Sequence, residues 1–224
     1  MGTTVAHSLH HYVPPQGPLV IVHEDDDLLV VEKPAGLLSV PGKDPNHHDC
    51  LESRAKHLVP DARIVHRLDM ATSGLMVLAK SGHAHRHLGL QFEKRQVQKI
   101  YRAIVMGAVP YASGMIDLPM RCDWPNRPRQ RVDFDQGKPA QTQWQRVKTV
   151  GQQTELLLYP KTGRSHQLRV HLLCLGYPIV GDEFYAPQPD VPSRMMLHAE
   201  TLTLRHPSGG AEMTFNAEAP FSLF

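Results

Sequence analysis

The chain has 224 residues, 41% of them hydrophobic and 21% charged, an ordinary globular balance with enough length to bury one full core. It has no repeat, no low-complexity tract and no apolar run long enough to span a membrane, and Cys50, Cys122 and Cys174 are too scattered for a disulfide framework or a CxxC zinc site. The net charge of +2 is uneven: residues 1–32 hold five acidic residues and no Lys or Arg, whereas all 24 basic residues and 17 acidic ones follow, a net +7 that favours a polyanionic partner.

The opening residues, MGTTVAHSLHHYVPPQGP, lack the basic start and apolar stretch of a secretory signal, so the cytoplasm is the expected location. Residues 1–18 read as an extended lead-in and 19–224 as one catalytic domain. LVIVHEDDDLLVVEK predicts two strands around an acidic turn, followed by the Gly/Pro-rich loop PAGLLSVPG. Residues 49–58 predict a short helix, Ile64-Val65 a short strand, and Leu75–Ala79 a buried strand bounded by Ser73-Gly74 and Ser81-Gly82. Ala84, Leu88 and Phe92 recur every four residues, which predicts an amphipathic helix over 83–94 leading into a strand at Tyr101–Met106.

Residues 119–139 carry three prolines before Gly137 and no sustained period, so they read as a long exposed excursion. Strands follow at Ala140–Gln145 and Glu155–Tyr159. SHQLRVHLLCLG then predicts a helix with Ser165 near its start and Gly176 just past its end. Leu197–Leu204 and Met213–Asn216 are the last strands. Hairpin-like spacing outnumbers βαβ spacing, so the expected class is α+β with a mixed, mostly antiparallel sheet.

On a helical wheel with Leu168 at zero, Leu172, Leu173 and Leu175 fall at about 40°, 140° and 340°, and Arg169 at about 100° lies inside that apolar arc. A core-facing guanidinium is costly without a carboxylate partner. The candidate is Asp69 of HRLDMATSG, in a turn between two apolar strands, although a lone Asp there could also cap its turn through Thr72 or Ser73. Arg121, Arg127, Arg129 and Arg131 surround Trp124 in the excursion, a composition that combines phosphate attraction with aromatic contact. Lys94, Arg95, Lys99 and Arg102 form a second basic cluster. The His83, His85, His87 run and the pairs His10-His11 and His47-His48 invite a metal, but i,i+2 neighbours on a helix point apart, so surface histidines and no metal are expected.

HRLDMATSGLMVLAK, KIYRAIVMG, GKPAQT, KTGRSHQLRVHLLCLGYPIVGD and LHAETLTLRHP, in this order, resemble the RluA family of pseudouridine synthases from about residue 20 to 217. The resemblance implies a mixed, mostly antiparallel sheet around a central catalytic cleft. It implies that Asp69 is the catalytic residue, that Tyr101 stacks on the target uracil and that Arg169 pairs with Asp69. It places Arg67 in the space a flipped uridine leaves, and Lys99, Arg121, Trp124, Arg127, Arg129, Arg131, Arg164, His166 and Gln167 among the RNA contacts. No metal or cofactor is implied.

KPAGLLSVPGK, LPMRCDWPNRPRQRV and the lack of room for an N-terminal S4 domain resemble the dual-specificity members of the family. The implied partners are stem-loops of 23S rRNA and tRNA, with uridine 746 and uridine 32 as targets, a monomeric enzyme and no obligate protein partner. The rival reading is a catalytically silent RNA-binding or RNA-folding protein on the same scaffold.

Overall fold

The computed structural model describes residues 12–186 and 194–224. Two hairpin strands, β1 (Val20–Glu24) and β2 (Leu28–Lys33), lead through a loop to helix α1 (Leu51–Leu58) and a short β3 (Arg63–Ile64). Next come β4 (Ser73–Ala79), α2 (Gly82–Glu93), β5 (Gln98–Met106), β6 (Ser113–Asp117), β7 (Met120–Cys122) and β8 (Gln130–Val132). The chain ends with β9 (Gln141–Val150), β10 (Gln153–Pro160), α3 (Gln167–Cys174), β11 (Leu197–Arg205) and β12 (Glu212–Asn216). No helix among the described residues is long and apolar enough to cross a membrane.

Ten strands form one sheet in the order β1-β2-β4-β11-β5-β10-β9-β6, with β3 beside β4 and β12 beside β11. Every pairing is antiparallel except β4 with β11. That mixed, mostly antiparallel α+β architecture is the one the strand spacing predicted. The parallel contact is short, His198 opposite Ser73 and Ala199 opposite Gly74. Gly74 has φ +114°, and a Cβ there would lie 2.3 Å from the Ala199 carbonyl oxygen. Only glycine allows the two strands this approach, so Ser73-Gly74, expected as a boundary, lies inside β4.

Strand β4 is buried along its whole length because both of its faces are covered. Leu75, Val77 and Ala79 meet Ala84 and Leu88 of α2 on one side. Met76 and Leu78 meet Leu51 and Ala55 of α1 on the other. Beyond the β4–β11 seam, Ala103, Val105, Leu156 and Leu158 build a second core with Leu168 and Leu172 of α3. Two hydrophobic halves thus flank a seam, and the loops at its end meet over a cleft.

Two expectations need correction. Residues 119–139 are not a structureless excursion: β7 and β8 pair as a separate two-stranded sheet, and Met120, Val132 and Tyr185 close over Val170 of α3. Helix α3 starts at Gln167, close to Ser165 as expected, but Leu173 and Leu175, placed in the apolar arc, are exposed. Its buried residues are Gln167 to Leu172 without a break, because the sheet core covers one side and the hairpin another. The described part of the lead-in lies against the domain. Tyr12 donates its hydroxyl proton to the Asp49 carbonyl at 2.8 Å, and Arg54 donates to the Pro15 carbonyl at 2.8 Å.

Candidate active site

A cleft of about 970 Å³ opens where the β3–β4 loop, β5, the β7–β8 hairpin and the N-terminus of α3 converge. Asp69 stands on the β3–β4 loop, which the segment after β2 holds from behind. The Lys33 ammonium, wholly buried, donates to the carbonyls of Pro34 (2.9 Å), Leu37 (2.7 Å) and Met70 (3.1 Å). Three carbonyls match its three N–H donors, while burial pushes its pKa down to about 7. Ser39 donates to the Leu68 carbonyl at 2.6 Å and accepts the Leu68 N–H at 3.1 Å. Both neighbours of Asp69 are therefore pinned by KPAGLLS, a segment whose sequence reads only as a loop.

The Asp69 carboxylate faces the cleft, and the Thr72 N–H goes to the Asp69 main-chain carbonyl at 3.1 Å. Arg169 donates from Nη1 to Oδ2 of Asp69 at 3.2 Å, the pairing that the buried arginine demanded. It is the weaker of two. Arg169 also forms a fork with Asp182, Nε to Oδ2 and Nη2 to Oδ1, both at 2.7 Å. Oδ1 of Asp182 further accepts the backbone N–H groups of Phe184 (3.0 Å) and Tyr185 (3.2 Å). The single partner expected for Arg169 is thus corrected to two carboxylates, with Asp182, fully buried, as the main one. Burial works against the guanidinium's charge, but these carboxylates outweigh it and raise its pKa. Asp182 lies in YPIVGD, inside the stretch that carries the family resemblance, and only its sequence distance from Arg169 hid the pairing.

Tyr101 of β5 lines the cleft, its hydroxyl pKa raised by burial and then by the Asp69 charge, so it is a neutral aromatic wall. His166 precedes α3 with φ +53°, its Nε2 4.0 Å from Oδ2 of Asp69, and burial lowers its pKa so that it is neutral at physiological pH. His66 is also neutral, its pKa lowered to about 3 by burial and then by Lys99; its Nε2 accepts the Val77 N–H at 3.1 Å. Arg67, Lys99, Arg127 and Arg164 line the cleft as well, and so do Arg95 and Lys161, which the motifs did not single out as RNA contacts.

Other expected contacts are engaged within the protein or stand outside the cleft wall, and Gln167, although it lines the cleft, is one of those already engaged. Gln167 gives its amide protons to the Gln141 carbonyl and Thr142 Oγ1, both at 3.0 Å, and its oxygen accepts from Thr162 (2.7 Å) and the Arg164 N–H (3.0 Å). That saturated amide braces the KTGRS loop instead of reaching for a ligand. Arg102 is bound to Glu155 and, at 2.5 Å and 2.8 Å, to Glu200, which removes it from the basic cluster. Arg121, Trp124, Arg129 and Arg131 belong to the hairpin outside the cleft wall. Arg121 lies 3.5 Å and Arg131 3.0 Å from Asp133, and exposed Trp124 carries the Arg127 guanidinium 4.6 Å above its ring. His10 and His11 lie outside the described residues. Among the described residues no group of three or more His, Cys, Asp or Glu side chains could hold a metal ion.

Residues 27–173 match the family model described as RNA pseudouridylate synthase. The chain is 50% identical over 218 residues to the dual-specificity RNA pseudouridine synthase RluA of Escherichia coli K12, covering 95% of this chain and 99% of that one. It is 53% identical over 205 residues to the protein of the same name from Vibrio vulnificus, covering 88% and 82%. Among solved structures it is similar to human RNA pseudouridylate synthase domain containing 1, with a TM-score of 0.77, 30% identity, and coverage of 94% of this chain and 88% of that one.

Proposed function

Because this chain belongs to the RNA pseudouridylate synthase family and isomerises uridine in RNA, we propose that Asp69 is its catalytic carboxylate and that the cleft around it takes a uridine turned out of a stem-loop. The observation that carries this reading is the Asp69 carboxylate, open to the cleft on one side and hydrogen-bonded to a buried Arg169 on the other. The reaction breaks the N1–C1′ bond, turns the uracil within the site and rejoins C1′ to C5, which then gives up its proton while N1 takes one up. Attack on C1′, addition to C6 and removal of the 2′ proton are the three ways a carboxylate can start it, and each needs the ionised form in a water-poor site.

In this reading Tyr101 stacks against the uracil and Arg67, exposed at the cleft, enters the gap left in the RNA, offsetting an unstacking cost of a few kcal/mol. Lys99, Arg127 and Arg164 meet phosphates. The substrates are hairpins of 23S rRNA and tRNA, with uridine 746 and uridine 32 as the modified positions, and the similarity to the dual-specificity relatives supports the choice. The enzyme acts in the cytoplasm, as a monomer.

Asp69→Asn keeps the shape of the side chain and removes its charge, so it abolishes tritium release from RNA labelled at uridine C5 while RNA affinity persists. Turnover within a few-fold of the unmodified enzyme would remove Asp69 from the chemistry. Short anticodon and rRNA hairpins test the substrates separately. If neither is modified while another transcript is, the dual-specificity reading fails and the family membership stands.

A further inference from the structure

Tyr185 lies three residues past Asp182, between the hairpin and the start of α3. Its hydroxyl oxygen accepts the backbone N–H of Gln130 in β8 at 2.7 Å. The same hydroxyl is 2.8 Å from Nδ1 of His166 and 3.5 Å from the Gln130 carbonyl. A phenol has one proton to donate; 2.8 Å is an optimal hydrogen-bond length and 3.5 Å is at the limit, so the proton points at His166. Burial pushes the Tyr185 hydroxyl up to about 12, against the pull of the Gln130 N–H, so that proton is held at neutral pH.

A neutral imidazole that accepts at Nδ1 carries its own proton on Nε2. Nε2 is the nitrogen that faces Asp69. Its 4.0 Å separation from Oδ2 is too long for a direct hydrogen bond, which leaves the N–H for an oxygen of ribose or uracil placed between them. The ring cannot easily turn away: Phe184 stacks on it at 5.8 Å and Tyr185 meets it edge-on at 5.6 Å. Its backbone holds a left-handed φ of +53°, a conformation that is unfavourable for a non-glycine residue and persists only where surrounding contacts impose it.

We propose that Tyr185 is a positioning residue of the reaction: the seated β7–β8 hairpin, through Gln130 and the Tyr185 hydroxyl, fixes the tautomer of His166 and aims a neutral Nε2–H at the substrate beside Asp69. A hairpin that leaves α3 takes the Gln130 N–H with it, freeing the hydroxyl and loosening the imidazole. The arrival of RNA on the hairpin is in this way coupled to the order of the catalytic carboxylate's surroundings. The inference rests on Asp69 being that carboxylate.

The test has two parts. Nitrogen-15 NMR of the full chain with labelled histidine reads the His166 tautomer directly, its resonance assigned by its disappearance in His166→Asn. The expected signature is a protonated Nε2 with a bare Nδ1, and the opposite tautomer overturns the proposal without any change to Tyr185. Tyr185→Phe then removes one hydroxyl. The single-turnover rate at saturating enzyme on a stem-loop RNA should fall roughly tenfold, the effect of removing one ordering hydrogen bond, while RNA affinity changes much less. The Tyr185→Phe spectrum should show the two His166 tautomers mixed. An unchanged rate with an unchanged tautomer means a hydroxyl that serves the fold alone, and overturns it. Should Asp69→Asn keep its activity, the active-site reading falls by that separate result, and the tautomer measurement still stands.

Discussion

Arg169 shows how one buried side chain can serve two carboxylates of different kinds. Its fork to Asp182 is closed off from water, whereas its contact with Asp69 reaches a carboxylate that is partly exposed to the cleft. Removal of the arginine therefore has unequal consequences. In Arg169→Met, water can reach Asp69, but Asp182 is left with two backbone N–H donors and no countercharge. Breaking a buried pair from one side costs about 3 kcal/mol or more, so the substitution should destabilise strongly in denaturant titrations as well as stop the reaction. Double-mutant cycles separate the two contacts: the coupling of Arg169 with Asp182 (through Asp182→Asn) should exceed its coupling with Asp69 (through Asp69→Asn) several-fold. Equal couplings, or a larger one to Asp69, would mean that the fork is not what anchors the guanidinium.

The β7–β8 hairpin is the element on which RNA affinity should turn, and its arginines are not equivalent. Arg127 reaches the cleft from its place over Trp124, whereas Arg131 and Arg121 are partly neutralised by Asp133. Removing one cation from a phosphate lowers the log–log salt slope of binding by about 0.7–0.9. Arg127→Ala should produce that decrement, and Arg131→Ala a smaller one; filter binding across a salt series distinguishes them, and a larger decrement at Arg131 would place the RNA on the hairpin's other side. The hairpin is also where sequence reading reached its limit. Strand positions are legible where apolar residues alternate or run together, as in Leu28–Lys33 and Leu75–Ala79; the helical wheel asks for a carboxylate beside Arg169, and Asp69 and Tyr101 are singled out by the motifs that resemble the family. The three-residue strands β7 and β8 are too short for a period to register, and what orders them is a tertiary contact with Val170 and Tyr185. The same reason hid Lys33, Ser39 and Asp182: each acts through main-chain carbonyls or a distant partner, and spacing along the chain carries no trace of that.

At the scale of the whole molecule, the two halves are joined at the β4–β11 seam, and a directed chain of hydrogen bonds crosses it. Arg194 donates to Ser73 Oγ at 2.5 Å, Ser73 lies 2.7 Å from Nδ1 of His198, and Nε2 of His198 lies 3.0 Å from the Ala217 carbonyl. Donors run in one direction only if His198 is neutral with its proton on Nε2, and burial indeed lowers its pKa to about 4. His66, lowered to about 3, belongs to the same class. A histidine whose pKa is depressed on folding contributes stability that is complete above the unfolded value near 6.5 and lost as pH falls toward the folded value. His206 has the opposite sign. It lies 3.2 Å from Asp25, which His23 also contacts at 2.6 Å, and its pKa is raised, first by the Ser208 carbonyl and then by Asp25. Its contribution is complete below 6.5 and disappears as pH rises through the raised value. The buried His198 and the partly buried His66, each with a slope of up to about 1.4 kcal/mol per pH unit, outweigh one partly exposed pair. Unfolding free energy should therefore fall steadily from pH 6.5 to about pH 4. Asp25, held at about 2 against burial by its His23 contact, keeps its negative charge through that range. His206→Ala should cost more at pH 5.5 than at pH 8, against the trend of the parent. Denaturant titrations of both proteins across this range are the check, and a parent stability that holds level or rises toward pH 4 would show that the seam does not depend on neutral histidines.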